Sequence, residues 1–90
     1  MTPDADRMAA LRQRFVAAAG EQAELIETLL DSGDLEGVRA VAHGLAGRSA
    51  LFGFAGLGEI ALSTDEAEPE DIASHARRLL EALREVAQEG

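Results

Sequence analysis

The sequence contains no cysteine, no lysine, no tryptophan and no tyrosine. Without cysteine there is neither a disulfide framework nor a thiolate that could bind a metal or act as a nucleophile. Aromatic residues make up 3% of the chain while hydrophobic residues make up 47%, so the interior must consist mainly of alanine, leucine, valine and isoleucine. A thin aliphatic core of this kind suits packed helices.

Positive charge is also scarce. The basic residues are 8 arginines against 17 aspartates and glutamates, which gives a formal net charge of −9. The arginines form no stripe, so we expect no nucleic-acid partner. No apolar run approaches the roughly 20 residues that cross a bilayer, and the first residues show no basic region followed by an apolar one. We therefore expect a cytoplasmic protein that does not bind membranes.

Apolar residues recur at spacings of three and four along most of the chain, and no strand pattern competes with them. The length fits a single domain over residues 1–90. We predict that Asp34 is the N-cap of the third helix and that Gly53 ends it. Because short connections favour antiparallel neighbours, we predict an all-α fold, an up-down-up-down antiparallel four-helix bundle with a shorter additional N-terminal helix that ends near Gly20. The five predicted helices cover residues 5–19, 21–31, 34–52, 55–65 and 69–88.

The third predicted helix carries a histidine on its outer face. At about 100° per residue, Leu45 and Phe52 lie nearly opposite His43, so the imidazole points away from the core. A helical histidine is more often packed or merely exposed than functional. The surface around His43, however, is low and flat because its residues are small or lack a side chain: Ala40, Ala46, Gly47 and Ala50.

Gly47 is the most informative of these neighbours. A helical side chain leans toward the N-terminus of its helix, so a larger residue at position 47 would cover the imidazole of His43. Glycine costs up to about 1 kcal/mol relative to alanine inside a helix, and such a violation indicates a purpose. Close helix packing explains Gly37 and Gly44 reasonably but explains the outward-facing Gly47 poorly. We predict that Gly47 keeps the ring accessible.

The segment AHGLAGRSALFG, residues 42–53, followed by Leu57, resembles the signature of histidine-containing phosphotransfer (HPt) domains. The family pattern is H-x-L-K-G, then G, then L, and the matching positions are His43, Leu45, Gly47, Gly53 and Leu57. The resemblance extends over nearly the whole chain. It implies a helical carrier that accepts a phosphoryl group on His43 and exchanges it with aspartates on response-regulator receiver domains.

The resemblance also implies the partners, which are a receiver domain and a sensor or hybrid histidine kinase. The receiver would supply the Mg²⁺ and most of the catalytic groups, so we expect neither a cofactor nor a metal in this chain. The sequence has no nucleotide-binding glycine loop after a strand. We therefore expect a phosphotransfer intermediate that is not a kinase. We also expect the protein to be a monomer.

Ala46 departs from the family pattern, which usually has lysine at this position. Arg39, one turn before His43 on the same face, is the best substitute, since its guanidinium could form charge-assisted hydrogen bonds with a phosphoryl oxygen. We predict that Arg39 and Gly47 support the phosphoryl group. The predicted partner-binding surface consists of Arg39, Ala40, Ala46, Gly47, Ala50 and Leu51.

Two other features are interpreted as structural. His75 matches no motif, and we assign it to the border or surface of the last helix. The carboxylates from Asp65 to Asp71 lack the glycine and the alternating spacing of a calcium-binding loop, so we interpret them as a solvated linker.

Two alternative functions stay open. Ala46 favours a degenerate HPt-like module that binds partners without carrying phosphate. Phosphorylation of His43 would distinguish the carrier from this module. The small-residue face also fits a helical interaction or dimerisation domain, whose size would depend on concentration and would be unaffected by His43→Ala. A hydrolytic or metal enzyme fits poorly, because two histidines without cysteine or a convincing acid partner make a weak catalytic set.

Overall fold

The computed structural model describes residues 3–89, whose regular secondary structure is entirely helical. An all-α fold is therefore confirmed. The last α-helix follows a short 3-10 helix at Pro69–Asp71 rather than beginning at the proline. Among the described residues, no helix is both long and apolar enough to cross a membrane. The four α-helices are α1 (Pro3–Asp31), α2 (Leu35–Leu51), α3 (Ala55–Glu66) and α4 (Ile72–Glu89).

The predicted break near Gly20 is wrong, because α1 is continuous from Pro3 to Asp31. There is accordingly no separate, shorter N-terminal helix in the described part of the chain. Gly20 faces α4, where a Cβ would lie 3.9 Å from the Cβ of Ala87. Glycine weakens a helix by only about 1 kcal/mol, and a buried stripe at helical spacing continues on both sides of it. This stripe, which includes two alanines, consists of Val16, Ala19, Ala23 and Ile26.

Glycine ends both α1 and α2. Gly33 and Gly53 have φ of 76° and 89°, a region in which a residue with a Cβ is strained. After each glycine, the next amide donates back to a carbonyl of the preceding helix, as in a Schellman motif. The carboxylate of Asp34 accepts a hydrogen bond from the amide of Gly37 at 2.9 Å. The predicted N-cap and the predicted stop are thus confirmed.

The core lies between all four helices. Each helix contacts the next along the chain, and α1 also contacts α4. The largest fully buried apolar side chains come from three helices, and they are Ile26, Val38, Leu45, Leu79 and Leu83. The three phenylalanines cluster together, with the Phe15 ring centroid 5.6 Å from that of Phe52 and 5.5 Å from that of Phe54. The up-down-up-down order of the bundle stays a prediction.

A glycine lies where α2 and α3 approach each other closely. A Cβ at Gly58 would lie 3.4 Å from the carbonyl oxygen of Ala46 and 3.4 Å from the amide nitrogen of Ala50. That distance lies at the short limit of ordinary van der Waals contact. The absence of a side chain at Gly58 therefore lets α3 lie directly against the helix that carries the exposed histidine.

Candidate functional site

His43 lies in the middle of α2, and its side chain is 79% exposed. Ala42, which precedes it, and Leu45, two residues after it, are fully buried. Because successive residues of a helix are separated by about 100°, burial of these two directs the imidazole outward. The outward orientation expected from the helical spacing is observed.

The imidazole has a partner on the neighbouring helix. Asp65, in the last turn of α3, places its Oδ2 2.9 Å from Nδ1 of His43. The carboxylate side chain is only 20% exposed, so it is better shielded from water than the ring. When the imidazole is neutral, the carboxylate accepts a hydrogen bond from Nδ1–H, which leaves the ring lone pair on Nε2. The arrangement therefore offers Nε2 as a nucleophile.

The interpretation of Asp65 as part of a solvated linker is wrong. The helix α3 continues to Glu66, and Asp65 is partly buried within its last turn. The missed signal was helical spacing, because Asp65 follows the buried Leu57 and Ala61 at intervals of four and so shares their face. Because the residues after Asp65 are mostly acidic, the helical spacing of Asp65 was overlooked. Those that follow the helix, such as Glu68 and Glu70, are exposed.

Arg39 also contacts the end of α3. Its guanidinium donates to the backbone carbonyl of Asp65 and, at 2.9 Å, to that of Ala67. The last carbonyls of a helix have no partners within the helix, and a cation there is also favoured by the helix dipole. Arg39 therefore links α2 to the end of α3 at the point where Asp65 meets His43. Its support of a phosphoryl group stays a prediction.

The surface beside His43 has contributions from two helices. On α2, Ala40, Gly47 and Ala50 are exposed, Leu51 is 64% exposed, and Ala46 is partly buried. The helix α3 adds Leu62, which is 46% exposed and which the sequence did not indicate. Between the helices runs a shallow groove lined by Ala46, Ala50, Ala55, Gly58, Glu59 and Leu62.

Gly47 has no packing reason to be glycine. A Cβ there would meet nothing within 4 Å, whereas a Cβ at Gly37 would lie 2.6 Å from Oδ2 of the N-cap Asp34. At Gly44 the nearest group is the flexible guanidinium of Arg48, at 3.5 Å. Close packing thus explains Gly37 but explains neither Gly44 nor Gly47.

Substitution of Gly47 by alanine is therefore expected to stabilise the protein. Alanine is favoured over glycine in a helix by about 0.5–1 kcal/mol, and the free energy of unfolding should rise by that amount in urea titration. Gly37→Ala is the matched control, because its Cβ displaces the N-cap carboxylate and cancels the gain. A loss of stability in Gly47→Ala would show that this glycine is needed by the fold.

The second histidine lies on a different helix, α4. His75 is partly buried on α4 beside the fully buried Ala76, which agrees with a position at the border of the core. Across residues 3–89, no group of three or more histidine, aspartate or glutamate side chains could hold a metal ion.

A family model described as Hpt domain matches residues 10–89. The matched region includes all of α2 and α3 and most of α1, and therefore includes Arg39, His43 and Asp65. Neither the curated proteins nor the solved structures contain a match to this chain.

Proposed function

Because the chain belongs to the Hpt domain family, we propose that it is a cytoplasmic phosphorelay carrier whose His43 accepts a phosphoryl group and passes it on. Domains of this family serve phosphotransfer in two-component signalling and are carriers rather than catalysts. One observation carries the assignment to this residue: an imidazole 79% exposed in mid-helix, with Nδ1 bonded to Asp65 and Nε2 left as the nucleophile. The proposed exchange partners are aspartates of receiver domains.

The proposed step is a displacement at phosphorus. The lone pair of Nε2 forms the P–N bond while the bond from phosphorus to the receiver's aspartyl oxygen breaks, and the electron pair of that bond stays on the receiver's carboxylate. The proton on Nδ1 does not move in this step, so the phosphorylated ring forms with a positive charge. The receiver would supply Mg²⁺ and the in-line alignment. This chain supplies an exposed nucleophile held in one orientation.

We propose that the receiver docks on the face around His43. The small side chains there present no obstacle between a partner's surface and the ring, and Leu62 of α3 extends the face with apolar area. A flat surface with a few apolar side chains is typical of transient contacts between signalling proteins. The α2 residues assigned to this surface are Arg39, Ala40, Ala46, Gly47, Ala50 and Leu51.

A second candidate function is a binding module that carries no phosphate. Position 46 is alanine, and the guanidinium of Arg39 is already bonded to two carbonyls of α3. In this conformation, position 46 provides no cation, and the guanidinium of Arg39 is not free to bind a phosphoryl group on His43. The phosphoryl group would then depend on solvent or on the partner for its charge partners.

The test is phosphoryl transfer to the purified chain. The chain is incubated with a phosphorylated receiver domain and Mg²⁺, and the label is followed. Acid-labile label on the chain is the expected result and supports the carrier. If several receivers and a phosphorylated hybrid kinase all bind the chain and leave it unlabelled, the carrier proposal is wrong and the binding module replaces it.

Gly47→Gln is expected to slow this transfer while the fold stays intact. The longer side chain leans toward the preceding turn and covers the imidazole. We expect the rate of transfer to fall about tenfold, which corresponds to an activation free energy higher by about 1.4 kcal/mol. Initial rates of labelling measure the effect. Gly47→Ala is the control, because a Cβ at position 47 meets nothing within 4 Å and so does not cover the ring; it should transfer at nearly the parental rate. Equal rates for the alanine and glutamine variants would contradict the access argument.

A further inference from the structure

An apolar groove runs between α1 and α2. Its volume is about 370 Å³, which is within the range of binding clefts in proteins. The groove is open to solvent, so it suits a side chain on the surface of a partner protein better than an enclosed small molecule. Its lining includes Leu11, Arg14 and Phe15 of α1 and Leu45, Arg48 and Phe52 of α2.

Each of the two helices contributes one unpaired arginine to this groove. Arg14 and Arg48 are exposed, and among the described residues neither guanidinium forms a hydrogen bond or an ion pair. By contrast, Arg84 is paired with Glu27. A Cβ at Gly44 would lie 3.5 Å from Nη1 of Arg48. The guanidinium of Arg48 therefore lies back over the preceding turn of α2, where no side chain stands beneath it.

No acidic residue lines this groove. The stretches 7–20 and 37–58 carry five arginines and no acidic residue, so all 17 aspartates and glutamates lie elsewhere in a chain of net charge −9. Grooves between other pairs of helices include glutamates, which are Glu89 between α1 and α4, Glu59 between α2 and α3, and Glu85 between α3 and α4. Because summed charges steer association, an acidic partner is attracted to the groove between α1 and α2 and repelled by most of the remaining surface.

We infer that Arg14 and Arg48 are specificity-determining residues, which select a partner whose docking segment presents an apolar side chain between carboxylates. The apolar side chain fills the groove, and the carboxylates meet the two guanidinium groups. The groove is continuous with the face around His43, because Arg48 directly follows Gly47 on α2. A partner that exchanges a phosphoryl group at His43 is therefore placed to cover the groove as well. The inference deepens the proposed function and rests on it for the identity of that partner.

Arginine suits this selection because a guanidinium donates two parallel hydrogen bonds to one carboxylate. Pairs of exposed charges contribute little to stability or affinity, whereas they change the rate of association and its dependence on salt. The effect of Arg14 and Arg48 is accordingly expected in the capture of the partner and not in the chemical step at His43.

The groove can be tested without any phosphoryl donor. The probe is a synthetic amphipathic helical peptide with leucines on one face flanked by glutamates, and its counterpart has lysine in place of each glutamate. In nitrogen-15 NMR titrations at low salt, the acidic peptide is expected to shift the amides of Phe15 and Leu45 and the Nε–Hε signals of Arg14 and Arg48. The lysine peptide should leave these signals unchanged. Shifts that are equal for both peptides, or that are absent from the groove, would overturn the inference.

The double variant Arg14→Gln, Arg48→Gln removes both charges from exposed positions. It is expected to bind the acidic peptide about fivefold more weakly at low salt, the scale of two exposed ion pairs, and the difference should disappear at about 0.5 M salt. The matched control is Arg77→Gln, Arg78→Gln, which removes the same charge from exposed positions of α4 and should bind like the parental chain. Arg14→Lys, Arg48→Lys keeps the charge and should retain most of the binding. Equal weakening in the two glutamine variants would show that net charge alone decides, and would overturn the assignment to the groove.

Transfer kinetics connect the groove to the proposed function. With a phosphorylated receiver domain as the donor, Arg14→Gln, Arg48→Gln is expected to raise KM about fivefold at low salt and to leave kcat unchanged. Phosphoramidate, a small phosphoryl donor that needs no docking surface, should label this variant and the parental chain at the same rate. If the acidic peptide binds as expected and neither donor labels the parental chain, the proposed function fails while the groove assignment stands. If the receiver labels both chains with the same KM, the two arginines do not select the partner and the inference is overturned.

Discussion

Replacement of His43 by glutamine is expected to abolish phosphoryl labelling of the chain and to leave its fold intact. The side chain is 79% exposed, so little packing is lost, and glutamine is a good helix former. A surface ion pair contributes at most about 1 kcal/mol, so loss of the contact with Asp65 should change stability little. Glutamine has no nitrogen lone pair that could attack phosphorus. Label transfer and thermal unfolding, measured on the same preparation, separate the two effects.

The chain offers a matched control at its second histidine. His75→Gln makes the same chemical change on α4, a helix that carries none of the residues of the proposed site, at a partly buried position. Labelling is expected to persist in this variant at the parental rate. The opposite pattern, with label retained in His43→Gln and lost in His75→Gln, would place the phosphoacceptor on α4 and contradict the proposal.

The second large effect is expected in the core beneath the site. Leu45→Ala removes a fully buried side chain from α2, and truncation of a buried leucine to alanine typically costs about 2–5 kcal/mol. Domains of this size have a total free energy of unfolding of about 5–15 kcal/mol. We therefore expect a large fall in the midpoint of urea denaturation, with partial unfolding at 37 °C.

Leu51→Ala is the control for this loss, since it makes the same change on the same helix at a side chain that is 64% exposed. Its free energy of unfolding should change by no more than about 0.5 kcal/mol. Its effect should appear instead in weaker binding of a receiver domain, measured by titration calorimetry. A loss of stability as large as that of Leu45→Ala would show that Leu51 packs in solution and is absent from the docking surface.

Much of the local structure followed from the sequence. The spacing of apolar residues predicts α2, α3 and α4 within a few residues of their observed bounds, because the helical period relates burial directly to sequence position. The N-cap at Asp34 and the glycine at position 53 marked two ends correctly. The helix end predicted at Gly20 was wrong for two reasons. A single glycine resembles a helix end, and the nearby alanines Ala19 and Ala23 were not counted as core residues. Their burial depends on α4, which a local pattern does not contain.

The sequence by itself determined the fold class, the family, and the outward direction of His43. Each of these depends on residues within one helix, or on a motif that runs from His43 to Leu57, so periodicity and spacing are sufficient. The tertiary structure alone decided that Asp65 faces Nδ1 and that Arg39 bonds to the end of α3. Those contacts join residues 22 to 28 positions apart. They depend on the rotation and axial register of α3 against α2, which the close approach at Gly58 and the packing of the whole core establish.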